Sequence, residues 1–227
     1  MSTLYNILAF LLISNLFSPV PEEEGDRDIN HGLEPNELRT CYVNCDLEGK
    51  LDFQIFAYAM ESLEEMEYSN EDILTIIDFS KPSTEKRLFI LDLKKQKVLY
   101  HTYVAHGKNT GQNLATKFSN NKGSNQSSLG RFRTAESYQG KHGYSLRLDG
   151  LEKGFNDNAR SRAVVIHSAS YVSEGFIKTH GRLGRSWGCP ALPVELSKEI
   201  IDLIKGGSCL YIYANDSDYL ENSILSD

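Results

Sequence analysis

The sequence has no C-x-x-C pair, no glycine-rich phosphate loop, no heptad run and no internal repeat. Those absences remove thioredoxin-type redox motifs, P-loop nucleotide sites, coiled coils and solenoids. Basic charge is also short: 24 Lys and Arg stand against 31 Asp and Glu, a formal net charge of -7. A nucleic-acid-binding surface needs the opposite balance, so no nucleic-acid partner is expected. Ligand-spaced Cys or His pairs are missing, and a centre built from His167, His180 and Cys189 matches no recognised zinc pattern. The apolar run Leu4–Phe17 (LYNILAFLLISNLF) has no Lys or Arg before it, no clear A-x-A site after it and no nearby cysteine for a lipid anchor.

What is present begins with that run. It has signal-peptide length, and Asn6, Ser14 and Asn15 make it too short and too interrupted for a membrane span. Residues 1–20 are therefore read as a leader, which places the protein outside the cytoplasm (periplasm or cell envelope) with no membrane span after processing. A buried N-terminal helix is the other reading. Residues 21–37 are acidic and turn-rich, a linker, and within residues 21–70 the spacing of Leu51, Ile55, Phe56, Ala59, Met60, Leu63 and Met66 predicts an amphipathic helix.

From Ile73 the pattern changes to short runs rich in Ile, Leu, Val and Tyr: ILTIIDFS, RLFILDL, KVLYHTYVAHG, SSLGRFRT, LRLDGL, AVVIHSASY and CLYIYA. Lys94–Gln96 reads as a hairpin turn, and PVELSKEIIDLI as a helix with Leu196, Ile200, Leu203 and Ile204 on one face. The fold class is mostly β. We expect a β-sandwich or barrel-like sheet over residues 71–215, an N-terminal helical segment, one or two helices packed outside, and a tail over 216–227.

Of the four cysteines, Cys41 and Cys45 lie four apart and could pair, while Cys209 in SCLYIYA reads as a buried small hydrophobe. Cys189 alone sits among glycines and basic residues, in GRLGRSWGCPALP. A thiol needs a base or a positive neighbour to become the attacking thiolate. His167, after three β-branched residues in VVIHSASY, should sit near the end of a buried strand and supply that base. No Asp or Glu adjoins it, so a backbone carbonyl, that of Ser168, is the candidate to orient the imidazole. Gly188 permits an unusual turn, and the N–H groups of Gly188 and Cys189 are expected to face the developing oxyanion. A core histidine and a structural cysteine are the bland alternative for the same pair.

Two stretches, Ile166-His167-Ser168-Ala169 and Ser186-Trp187-Gly188-Cys189-Pro190, resemble the murein L,D-transpeptidase catalytic-domain family with its YkuD-like fold. SSLGRF resembles an upstream family segment with its Thr and Pro replaced, and Lys141–Arg162 resembles a branch in which Ser-Trp-Gly-Cys-Pro is normal. The resemblance covers roughly residues 70 to 215. It implies Cys189 as nucleophile, His167 as base and the Ser168 carbonyl as orienter. Tyr171 falls where an aromatic lines the acceptor side, and Ser186 and Trp187 fall on the substrate side. Trp187 stands where the family's second motif has His, and Ala191 where Asn or Arg is usual. Arg182 and Arg185 are the candidates for the missing polar contact, while Tyr144, Arg147, Asn158 and Arg160 stay unranked.

The implied partner is a peptidoglycan tetrapeptide stem and no cofactor is needed. The thiolate would attack the third-position carbonyl and expel D-alanine. The thioester would then pass to a stem amine, to water (an L,D-carboxypeptidase), or to a protein lysine. A non-catalytic peptidoglycan-binding module is the rival reading.

Overall fold

The structure, a computed structural model, describes residues 35–64 and 67–223. The apolar N-terminal run and Met66 lie outside the described residues, and with them the leader expectation. Helix α1 (Pro35–Asn44) begins inside the expected linker, so residues 35–37 are its first turn. Cys41 and Cys45 are buried one helical turn apart and are not bridged. Helix α2 (Phe53–Glu64) lays Ile55, Phe56, Ala59 and Met60 into the core, the face that the 3.6-residue spacing dictates.

Eight strands follow in one sheet: β1 (Asn70–Asp78), β2 (Leu88–Asp92), β3 (Lys97–Thr102), β4 (Gly130–Gly140), β5 (Gly143–Gly150), β6 (Val165–Ser168), β7 (Ala191–Leu192) and β8 (Ser208–Tyr213). Their order is β3-β2-β1-β8-β4-β5-β6-β7, antiparallel except for β1 with β8 and β6 with β7. Helix α2 packs on β1 and β8, and helix α4 (Val194–Ile204) packs on β5 and β6. Strands covered on both faces read as continuous apolar runs, which is why LFILD is buried at all five positions. Helices α1 and α2 share one hydrophobic cluster with the sheet.

The mostly β expectation describes this architecture, including the β2–β3 hairpin and α4. The sheet also curls onto itself. The chain leaving β3 meets β7 at the opposite edge, where Ala105 N–H donates to Ala191 O at 2.9 Å and Ala191 N–H returns to Ala105 O at 3.2 Å. A two-residue strand gives no sequence period to read, so β7 was not legible. The short helices α3 (Glu174–His180) and α5 (Ser217–Asn222) were also not anticipated. Serine and aspartate caps mark them: Ser173 Oγ accepts from Phe176 N–H, and Asp216 from Tyr219 N–H.

Candidate active site

Strand β6 ends in the first motif. Val165, Ile166 and His167 are buried, and His167 is paired with Ser145 on β5 and Ala191 on β7. Its Nδ1 lies 2.8 Å from Ser168 O. A carbonyl can only accept, so Nδ1 carries the proton and Nε2 keeps a lone pair. Burial pulls the imidazole below its ordinary pKa; the Ser168 carbonyl opposes this, and the charges of His142 and Lys141 reinforce it. The ring is therefore neutral at neutral pH, the state a base requires.

The second motif is held from several sides. Leu183 is fully buried in a small cluster with Ala105, Val172 and Ala191, and its N–H donates to Ser83 Oγ at 3.1 Å. Gly188 has φ 123°, and a Cβ there would come 2.7 Å from Gln126 O. Its carbonyl accepts from Ser127 Oγ at 3.1 Å, and Ser127 Oγ in turn accepts from Gly107 N–H at 3.0 Å. Gly107 packs so close that its own Cβ would lie 2.9 Å from the Gly188 Cα. Two glycines are needed for this approach of two backbones.

Cys189 is half-buried against the start of β6. Its Sγ accepts from Val165 N–H at 3.5 Å and donates to Ala163 O at 3.7 Å. Burial raises its pKa, and the Val165 N–H, Arg162 and Lys141 pull the other way. The side chain rests as a thiol on the strand that carries His167, two residues from Val165, with its proton turned toward Ala163.

Ser186 and Gly188 bond each other within the Cys189 loop. The Gly188 N–H donates to Ser186 Oγ at 3.1 Å and so is engaged within the loop in this state. Ser186 Oγ also donates to Cys189 O at 2.6 Å, so this buried hydroxyl braces the nucleophile loop. Arg185 donates to the carbonyls of Lys108 and Gly111, both at 3.0 Å, and Arg182 to its neighbour Leu183 O at 2.7 Å. Tyr171 is half-buried, and burial, with a smaller contribution from Cys189, pushes its hydroxyl up to about 12. Trp187 is 69% exposed, with Lys108 Nζ 5.4 Å and Lys141 Nζ 5.2 Å from its ring centre.

His180 stacks on Phe176 of its own helix, centroids 4.0 Å apart, and is not brought to the pair. Among the described residues no three His, Cys, Asp or Glu side chains gather as a metal site requires. Arg160 pairs with Glu136 and Asp149, Arg147 with Glu136, Tyr144 with Asp202, and Asn158 bonds Asn120.

Sequence reasoning missed Arg162, His142, Lys141 and Lys108. Arg162 bonds Ser119 O, Ser128 Oγ, Ser124 Oγ and Gln126 O, fixing the polar loop that underlies Gly188. Lys141 and His142 form the tip of the β4–β5 hairpin between the paired Gly140 and Gly143, and the His142 ring stacks on His167 with centroids 4.6 Å apart. The two flanking glycines were the available signal for a turn. Nothing local says what that turn covers.

A family model of the L,D-transpeptidase catalytic domain matches residues 47–213. A comparison with curated proteins finds no match. Among solved structures, an L,D-transpeptidase from Mycobacterium smegmatis is 15% identical, with TM-score 0.40 over 63% of this chain and 59% of that one. This chain thus spans less than two thirds of that protein's length. An L,D-transpeptidase from Stackebrandtia nassauensis is 12% identical, with TM-score 0.36 over 80% of this chain and 78% of that one. The L,D-transpeptidase segment 123–326 from Xylanimonas cellulosilytica is 13% identical, with TM-score 0.37 over 81% and 96%. The family match runs from the turn after α1 to the end of β8 and takes in both motif stretches: the chain belongs to the L,D-transpeptidase catalytic-domain family.

Proposed function

We propose that this chain is a cysteine acyltransferase acting on peptidoglycan tetrapeptide stems. The observation that carries the reading is the bond of Cys189 Sγ to Val165 N–H on strand β6, two residues before a neutral His167 whose Nδ1 proton is committed to Ser168 O. For attack, the thiol turns from Ala163 O toward His167 Nε2 and gives up its proton there. The thiolate adds to the carbonyl carbon of the third residue, and the Cys189 N–H receives the oxyanion, since the Gly188 N–H is engaged by Ser186. Collapse breaks the C–N bond, and the His167 proton leaves with the D-alanine amine.

The thioester then passes its acyl group to a second nucleophile, whose proton goes to His167. A stem amine gives a 3–3 crosslink, water gives a tripeptide, and a protein lysine gives a tethered protein. No cofactor enters any of these steps. Action on this polymer requires export, the role read for residues 1–20.

The thiol proton directed at Ala163 O rather than at His167 favours a second reading, a peptidoglycan-binding module without turnover. One experiment separates them. The protein and Cys189→Ala are incubated with purified tetrapeptide muropeptides, and intact mass is read. An adduct with loss of D-alanine in the wild type alone supports the thioester route, and dimers or tripeptides among the products name the acceptor. No adduct and no turnover would leave the binding module. Carbapenem labelling of Cys189 gives a second readout of the same acylation.

A further inference from the structure

Four cations stand around Cys189 with no carboxylate partner among the described residues. Arg147, Arg160, Lys198 and Lys205 each face a carboxylate. Arg162 and Arg185, by contrast, spend their donors on loop carbonyls and hydroxyls. Lys108 and Lys141 are exposed and form no ion pair among the described residues. Both ammonium groups flank the Trp187 indole, two residues before the nucleophile. On a chain of net charge -7, this is a local concentration of positive charge around one loop.

The two lysines come from segments far apart in sequence. The Lys108 N–H donates to Ser186 O at 2.8 Å, and its carbonyl accepts from Arg185. Lys141 rides the two-residue tip of the β4–β5 hairpin. Two ammonium groups drawn to one indole also repel each other. An anion that approaches both offsets that repulsion and takes a charge-assisted hydrogen bond from each.

We propose that Lys108, Trp187 and Lys141 form a clamp that binds a free carboxylate of the peptide acyl donor and so sets which peptides reach Cys189. The assignment of a peptide donor rests on the proposed acyltransferase function; the anion selectivity of the clamp does not. The Lys141 charge reaches Cys189, so a clamp there would both recruit an anionic stem and fix its register.

The test uses alkylation of Cys189 by anionic iodoacetate and by neutral iodoacetamide at low ionic strength, followed by intact mass. Cys189→Ala supplies the background from other thiols. Removing Lys141 alters the thiolate fraction, but that change cancels in the ratio of the two rates. In Lys108→Gln/Lys141→Gln the iodoacetate-to-iodoacetamide ratio should fall by roughly threefold to tenfold, and salt should erase the wild-type preference. Lys108→Arg/Lys141→Arg should retain the ratio.

An unchanged ratio in the double Gln variant overturns the clamp, whether or not stem peptides are turned over. A fallen ratio upholds the clamp even if no stem peptide reacts, an outcome that would sink only the proposed function. With an active donor, the KM of a free-acid tetrapeptide should rise about tenfold in the double Gln variant while that of its C-terminal carboxamide stays within about twofold. Equal rises in both would place the recognised carboxylate elsewhere and overturn the assignment to the donor's terminus.

Discussion

The imidazole of His142 lies on that of His167, with centroids 4.6 Å and planes 24° apart, although one ring stands on a hairpin tip and the other at a strand end. His142 covers the His167 imidazole by stacking on its face. Burial is the main cause of the depressed His167 pKa, with the charges of His142 and Lys141 adding to it. Removing the cover by His142→Ala should raise the His167 pKa toward its ordinary 6.5. The acid limb of kcat/KM should then move to higher pH, and kcat should fall roughly tenfold. Imidazole nitrogen NMR titration reads the shift directly; an unmoved His167 titration would show the stack to be incidental.

Gly188→Ala should disable the site. The new Cβ meets a backbone oxygen at 2.7 Å on a φ of 123°, so neither side can give cheaply. The strain should cost about 1–3 kcal/mol of stability. Displacement of the adjacent thiol should slow acylation by about a hundredfold. Thermal melts and carbapenem labelling rates measure the two effects separately.

Arg162 should prove indispensable for a reason that charge alone does not supply. Its guanidinium fork spans four loop acceptors and stands near Cys189. Arg162→Met should destabilise by about 2–4 kcal/mol through acceptors left unpaired. It should also move the midpoint of Cys189 alkylation to higher pH, because a cation that favours the thiolate is gone. Arg162→Lys should restore little stability, since an ammonium cannot reproduce the fork. Full rescue by lysine would mean that only the charge matters.

His106 should make the protein acid-sensitive. It is buried against Arg87, whose Nη2 lies 2.8 Å from its Nδ1, and burial with the Arg87 charge holds its pKa at about 3. The unfolded chain takes up a proton near 6.5 that the native state refuses. Stability from this group is therefore full above about pH 6.5 and is lost as pH falls toward about 3, at roughly 1.4 kcal/mol per pH unit. His106→Gln keeps an acceptor for Arg87 without a titrating ring, and urea unfolding between pH 4 and 7 should show a flatter dependence. An equal slope in both proteins would assign the acid sensitivity to other groups.

Local chemistry explains what the sequence made legible. LFILD and SCLYIY announce buried strands because no polar residue interrupts them, and α2 shows its core face by spacing alone. Cys189 and His167 stand out because each breaks the pattern of its own segment. The bonds of the Ser186 hydroxyl to Gly188 N–H and Cys189 O depend on the loop's turn and have no local signal. Arg162, His142 and Lys108 reach the site through strand pairing and loop closure between distant segments, which no window along the chain can display.

The Ala105–Ala191 ladder ties the Cys189 loop to closure of the sheet. Ala191 is paired with His167 on one side and with Ala105 on the other, so β7 closes the ring and begins two residues after Cys189. A one-residue slip of this stave would turn its side chains to the opposite face and carry Cys189 out of reach of β6. The contact of Cys189 with β6 is then a property of the closed ring, not of either edge strand alone.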